Sequence, residues 1–241
     1  MQLTGNTILV TGGTSGIGRA MAEASHARGN QVIVAGRRKG LLDEITAANP
    51  GMAGIVLDIA DPGSIAATAR EATERFPNLN VLFNNAGFMP FDDAGAPVDD
   101  TVAHDVLTTN LLGPIRMTSA LIGHLKAQPR AVILNTTSLL AFAPLASAAV
   151  YSASKAALHS YSMSQRYMLR DTSVRVQEIA PPWVDTDLVP AKGDARAMPL
   201  AAFVEQTMEK LALDDEEVVV DFVRQARHSI ATDGSTPSSR A

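Results

Sequence analysis

Tyr151 and Lys155 stand four residues apart in Tyr151-Ser152-Ala153-Ser154-Lys155, thirteen residues after Ser138. On a helix, positions i and i+4 share a face, so the amine stands beside the phenol. A neighbouring cation favours the phenolate and lowers the phenol's pKa. A phenol tuned that way can give and take a proton near neutral pH. Ser138 closes an apolar run, where its hydroxyl could orient a substrate oxygen; a plain turn serine is the alternative. Tyrosine and lysine also meet at this spacing by chance on many helices, so the surrounding elements must decide.

Those elements alternate along the whole chain. Thr7-Ile8-Leu9-Val10 is continuously apolar with a β-branched bias, which predicts a buried parallel strand. It runs through Thr11 to Gly18 into a helix that ends at Gly29-Asn30. Further strands are predicted at residues 31–35, 55–59, 81–83, 131–135 and 174–179. Helices are predicted at residues 39–48, 62–76 and 100–128, from Tyr151, and at residues 200–213 and 215–228. Asp61-Pro62 is a capping residue followed by proline at the first helical position. No linker and no internal repeat interrupts the pattern. It predicts an α/β fold, one Rossmann domain over residues 1–231, with a doubly wound parallel sheet of order 3-2-1-4-5-6. Residues 232–241 are polar and expected to fray.

Every unusual cluster falls at a predicted strand's carboxyl end. Gly12, Gly16 and Gly18 follow the first strand and open the first helix. There a backbone can pass close to a pyrophosphate, and a helix N-terminus supplies amide donors. The spacing is G-x-x-x-G-x-G, and no Gly-Lys-Ser/Thr follows as in a P-loop. After the second strand, where an acid would accept from a ribose 2′-hydroxyl, stand Gly36, Arg37 and Arg38. A guanidinium can hold a 2′-phosphate bidentately, which favours NADP(H) over NAD(H). A solvated basic turn is the alternative. Asp58 could meet the adenine amino group or cap the next turn. Asn84-Asn85-Ala86-Gly87 suggests a close backbone approach or an ordinary turn, and Asn110 is a mediocre helix former in mid-helix.

Composition excludes several classes. Net charge is −5, with 46% apolar and 19% charged residues, and no Lys/Arg block invites nucleic acid. With no cysteine there is no disulfide and no thiolate nucleophile. The five histidines form no H-x-x-x-H or H-x-E pattern, so no metal is expected. Asp92-Asp93 and Asp99-Asp100 read as solvated loop acids and a helix cap. No Gly-x-Ser-x-Gly elbow supports a hydrolase. Neither a signal peptide nor an apolar run of the roughly 18 residues a membrane span needs is present, and a cytoplasmic location is the expectation.

Together the Thr11-to-Gly18 loop, Asp58, Asn84-Asn85-Ala86-Gly87, Asn110, Ser138, and Tyr151 with Lys155 resemble the short-chain dehydrogenase/reductase family over about residues 5–190. Within it the chain is most similar to the DltE-like oxidoreductases. The resemblance implies Tyr151 as general acid/base, Lys155 on the nicotinamide ribose, Ser138 on the carbonyl, and Asn110 holding a water in a proton relay. It implies cofactor contacts from Gly12, Thr14, Ser15, Gly16, Ile17, Gly18, Arg37, Arg38, Asp58, Ile59, Asn84, Ala86, Gly87, Tyr151, Lys155, Pro181, Val184 and Thr186. Two features depart from the family. Pro181-Pro182 replaces the usual Pro-Gly, removing an amide donor. The C-terminus after Leu200 reads as helices, so a seventh strand is expected to be missing. That loss favours a homodimer through the Asn110 and Tyr151 helices, with a tetramer as the other arrangement.

The expected activity is NADP(H)-dependent reduction of a ketone or aldehyde, or the reverse oxidation. Phe88, Met89, Leu139, Leu140, Trp183 and Leu188 are expected to line an apolar substrate pocket under a lid over residues 183–199; packing in the core is the alternative for several of them. A non-catalytic NADP(H) sensor and an interaction module without cofactor are the competing classes.

Overall fold

The computed structural model describes residues 1–188, 193–213 and 215–220. The strands are β1 (Thr7–Thr11), β2 (Gln31–Gly36), β3 (Ala53–Val56), β4 (Val81–Asn84), β5 (Ala131–Thr136), β6 (Val174–Ile179) and β7 (Glu217–Val218). The helices are α1 (Gly16–His26), α2 (Lys39–Ala48), α3 (Pro62–Arg75), α4 (Asp100–Leu107), α5 (Gly113–Ala127), α6 (Ala149–Leu169) and α7 (Leu200–Ala212). All strand pairs are parallel, in the order β3-β2-β1-β4-β5-β6-β7.

Continuous apolar strands arise because both sheet faces are covered. Ile8, Val10, Val32, Val34, Phe83 and Leu134 meet Met21 of α1, Leu42 and Ile45 of α2, and Phe203 and Leu211 of α7. The alternate residues Leu9, Ile33, Leu82 and Ile133 meet Ile65 and Ala69 of α3 and Met117, Leu121 and Leu125 of α5. Each fully buried aliphatic side chain contributes about 1.5–3 kcal/mol. The sheet therefore does not depend on its polar carboxyl ends for stability.

Helix boundaries follow capping chemistry. Asp61 accepts from Gly63 N and Ser64 N, both at 3.0 Å, with Pro62 at the first helical position. Asp99 caps α4 through Thr101 N at 3.0 Å and Val102 N at 3.2 Å. The helix expected over 100–128 is broken by a π-helical turn, Thr108–Leu112, between α4 and α5. Such turns widen a helix locally and cluster at functional sites.

The expected order 3-2-1-4-5-6 is present, but the missing seventh strand is corrected. Glu217–Val218 pairs with β6 through Glu178↔Glu217 and Ile179↔Val218. Asp215, Glu216 and Glu217 suggest a helix start, yet Val218, Val219 and Val220 are buried in the core, and that burial prevails. Residues 221–228 of the expected helix and the 232–241 tail lie outside the described residues. Among the described residues no helix is long and apolar enough to cross a membrane.

An ion network between β6 and α6 reaches the residue before β7, where Arg166 Nη2 donates to Glu216 O at 3.2 Å. Glu178 is 1% exposed. His159 Nδ1 bonds its Oε2 at 2.8 Å and Arg166 Nη2 donates to its Oε1 at 3.1 Å. Burial raises the Glu178 pKa, and both partners oppose that rise. His159, Glu178 and Glu217 offer ligand atoms within 4.8 Å of one another, a grouping that sequence spacing hides. Both Glu178 oxygens are engaged, so the cluster is built as an ion network and not as a ligand cage.

Candidate active site

β1 delivers the glycine loop to the sheet's carboxyl edge, beside the end of β4. Thr11 Oγ1 accepts from Asn85 N at 3.0 Å and Ala86 N at 3.2 Å. Asn85 Nδ2 donates to Thr11 O at 3.2 Å and Gly12 O at 3.3 Å. Gly12 has φ +66°, and a Cβ there would stand 2.8 Å from Ala86 Cα. A Cβ at Gly18 would lie 2.3 Å from Asn85 Nδ2 and 2.4 Å from Gly12 O. Both positions need glycine for close backbone approach. Ser15 is the N-cap position of α1 but makes no side-chain cap bond, so the helix N-terminus offers free amides.

The basic turn folds back over this loop. Arg38 Nη2 donates to Thr14 Oγ1 and Ser15 Oγ, both at 3.0 Å. A Cβ at Gly36 would stand 2.9 Å from Thr14 Cγ2, which leaves an acidic side chain no room there. Arg37 is exposed in the same turn. These groups fit a nicotinamide dinucleotide, NAD(P). Gly16 faces Thr186, whose Cβ would be 3.5 Å from an added Cβ. Ile17 is half-buried, and Val184 and Pro181 are buried nearby in the chain beyond β6.

Three residues expected at the cofactor have side chains with partners inside the protein. Asn84 is 1% exposed and donates to Thr118 Oγ1 at 3.1 Å and Asn135 Oδ1 at 2.9 Å. Asn135 in turn donates to Ser162 Oγ at 2.8 Å and Gln165 Oε1 at 3.2 Å. The Asn84 side chain thus belongs to a buried network beneath the site. Asp58 lies two residues past the end of β3 and takes the capping alternative, its Oδ1 accepting from Ala60 N at 3.0 Å. Ile59 is buried at the start of α5, where a Cβ on Gly113 would meet its Cγ1 at 2.7 Å.

The four expected catalytic residues converge. Tyr151 is 6% exposed on the first turn of α6, and the Ser138 side chain, two residues past β5, lies close enough to lower its phenol pKa. Lys155 Nζ donates to Thr136 O at 2.7 Å and lies 5.7 Å from the Tyr151 ring centroid. Asn110, 0% exposed in the π turn, accepts from Phe88 N at 3.0 Å and donates to Phe88 O at 2.9 Å and Ser154 Oγ at 3.3 Å. A Cβ at Gly87 would lie 3.1 Å from Asn110 Oδ1 and 3.6 Å from Lys155 Nζ. The asparagine and the lysine therefore crowd one glycine.

The electrostatics correct the sequence expectation. Burial pushes the Tyr151 phenol up to about 12, against the Ser138 hydrogen bond, which lowers it. Burial pushes the Lys155 ammonium down to about 8. Desolvation disfavours the charged form of both groups. The lysine is bonded to the Thr136 carbonyl, and burial is the largest influence on the phenol.

The expected substrate residues surround this edge with mixed burial. Phe88 and Leu188 are exposed, while Met89, Leu140 and Trp183 are half-buried. The segment expected to form a lid is closed at its base: Met198 N donates to Trp183 O at 2.8 Å, and Asp185 N to Met198 O at 2.9 Å. The Arg196 guanidinium lies 5.2 Å from the Trp183 ring centroid and pairs with Asp194 at 2.9 Å. Residues 189–192 of the lid lie outside the described residues. Despite Pro182, the ends of β5 and β6 remain joined by Leu139 N donating to Pro181 O at 2.9 Å.

A family model for short chain dehydrogenases matches residues 6–197. An uncharacterized oxidoreductase of Bacillus subtilis (strain 168), DltE, is 37% identical over 239 residues, 97% of this chain and 95% of that protein. A short chain dehydrogenase from Burkholderia cenocepacia J2315, solved in complex with NADP, superposes with a TM-score of 0.87 at 26% identity, covering 97% of this chain and 96% of its own. A short chain dehydrogenase/reductase from Burkholderia phymatum, solved with NAD, shares the fold with a TM-score of 0.82 at 23% identity, covering 100% and 99%.

Proposed function

The chain belongs to the short chain dehydrogenase family, NAD(P)-dependent enzymes acting on CH–OH groups, and on that premise we propose that it is an NADP(H)-dependent carbonyl reductase with Tyr151 as general acid/base. The observation that carries this reading is the convergence of Tyr151, the buried Lys155 and Asn110 beside Ser138 at the carboxyl end of β5, on the same sheet edge as the glycine loop. When bound, the nicotinamide supplies the hydride, and the protein's part is orientation and proton transfer. Ser138 fixes the substrate oxygen, Tyr151 protonates it, and Lys155 with Asn110 replaces the proton. The half-buried Met89, Leu140 and Trp183 support an apolar ketone or aldehyde. The test is a panel of ketones, aldehydes and alcohols with both cofactors, followed by nicotinamide absorbance. Thermal stabilisation by NADP without turnover on any of them would favour the sensor reading; no stabilisation would sink both.

Arg38 on the Thr14 and Ser15 hydroxyls supports the preference for NADP(H). Charge-assisted hydrogen bonds contribute about 1.5–3 kcal/mol. Arg38→Ala is expected to lower kcat/KM with NADPH by about 10- to 100-fold and to leave NADH within about twofold. Equal losses with both cofactors would count against a 2′-phosphate site.

A homodimer through the helical stretch that carries Asn110 (α4, the π turn and α5) and α6 is part of the same reading. With β7 present, a missing strand no longer argues for it. The exposed stripe does: Leu107, Leu112, Met163, Tyr167 at 65% and Met168 at 73% exposure. A stripe of this kind marks an interaction surface. Tyr167→Asp should turn a dimer into a monomer by light scattering; a wild type that is already monomeric, or a variant that stays dimeric, overturns the interface.

A further inference from the structure

The N-terminus of α6 is capped from outside the helix. Its own N-cap residue, Ala148, makes no side-chain cap bond. Asp92, 57 residues earlier, fills that place: Oδ1 accepts from Ala149 N at 2.7 Å and Oδ2 from Val150 N at 2.8 Å. Asp92 N also donates to Ser147 O at 2.9 Å. First-turn amides have no partner within the helix, and a carboxylate there suits the helix dipole. Read from sequence, Asp92 is a solvated loop acid; the structure makes it half-buried and doubly bonded.

Four residues back, the same loop is pinned again, where Asn110 bonds both the N–H and the carbonyl of Phe88. The segment 88–92 is therefore strung between the Asn110 turn and the turn that carries Tyr151. Between the two pins lie Met89, Pro90 and Phe91. Tyr151 directly follows the residue whose amide Asp92 holds.

We propose that Asp92 is a positioning residue that couples the 88–92 loop to Tyr151, so that ordering this loop around a substrate and seating the phenol against Ser138 are one event. Losing one cap removes a small part of a domain's stability. A displacement of about 1 Å at a reacting group costs on the order of 100-fold in rate. Asp92 should thus be felt in turnover far more than in folding. The proposal rests on the carbonyl-reductase reading for its activity measurement only.

The test compares wild type with Asp92→Ala and Asp92→Asn. Hydrogen exchange on peptides spanning 86–92 and 149–156 needs no turnover; in Asp92→Ala, exchange should rise in both together. On an accepted carbonyl, kcat should fall about 10- to 100-fold with the cofactor Kd within about twofold, and the solvent deuterium effect on kcat should grow as proton transfer slows. Asp92→Asn, which keeps an acceptor for one of the two amides, should recover much of both. If Asp92→Ala does not fold, Asp92→Asn and Asp92→Ser supply the comparison. A lower melting temperature with unchanged kcat, or faster exchange in 149–156 alone, would make Asp92 a plain helix cap and overturn the coupling. A wild type inactive on every carbonyl sinks the reductase reading, while the exchange result still decides the coupling.

Discussion

Tyr151→Phe is expected to reduce kcat by about 10³-fold or more while leaving NADP(H) affinity nearly unchanged. The substitution removes one hydroxyl and keeps a ring that is already buried, so the first turn of α6 keeps its packing. Ser138 loses its phenol partner but retains the Leu140 amide, at 3.1 Å, as a donor to its Oγ. The Arg38 clamp and the glycine loop lie on other elements and do not sense the change. Cofactor titration by fluorescence and steady-state turnover on one accepted ketone measure the two halves separately. Near wild-type kcat in this variant would end the proton-transfer assignment. Loss of cofactor binding alongside turnover would mean that the phenol holds the cofactor and does not act on the substrate.

A phenol pushed up to about 12 is protonated near neutral pH, which is the state an acid needs to protonate a developing alkoxide. Sequence reasoning missed this because it counted one charge four residues away and could not count burial.

The same limit separates what was legible from what was not. The order of β1 to β6 followed from apolar runs and turn chemistry, both local properties. The glycine positions, Ser138, Tyr151 and Lys155 followed from spacing. What lay outside reach depended on contacts distant in sequence. The inward turn of Asn84 is set by Thr118 and Asn135. The capping role of Asp92 is set by a helix 57 residues on. β7 is set by the burial of Val218, Val219 and Val220 against the acidic run Asp215, Glu216 and Glu217 that locally favours a helix. The widening at Thr108–Leu112 brings Asn110 to Phe88, and mid-helix asparagine alone does not announce it.

Lys155→Met is expected to inactivate the enzyme and to flatten the pH dependence of its stability. The Lys155 pKa is about 8 in the folded protein against 10.5 as the ordinary value. The unfolded chain therefore binds more protons between those values, and folded stability rises with pH across that window. Stated the other way, stability present above 10.5 is lost as pH falls through 8. At 1.36 kcal/mol per unit, the loss approaches about 3 kcal/mol. Methionine keeps the apolar stem and removes the charge, but it leaves Thr136 O without its donor, which costs about 1–3 kcal/mol. The two terms nearly offset near neutrality, so the absolute stability of the variant is a poor test. The difference between wild type and variant is the sharp one, because every other titrating group cancels from it. That difference should shift toward the wild type by about 2–3 kcal/mol between about pH 7 and about pH 10, read from denaturant unfolding of the cofactor-free proteins. Turnover should fall by about 10²- to 10⁴-fold, because the amine that serves the Tyr151 proton is gone. A pH-independent difference would mean that Lys155 is solvated in solution, and retained turnover would remove it from the proton path.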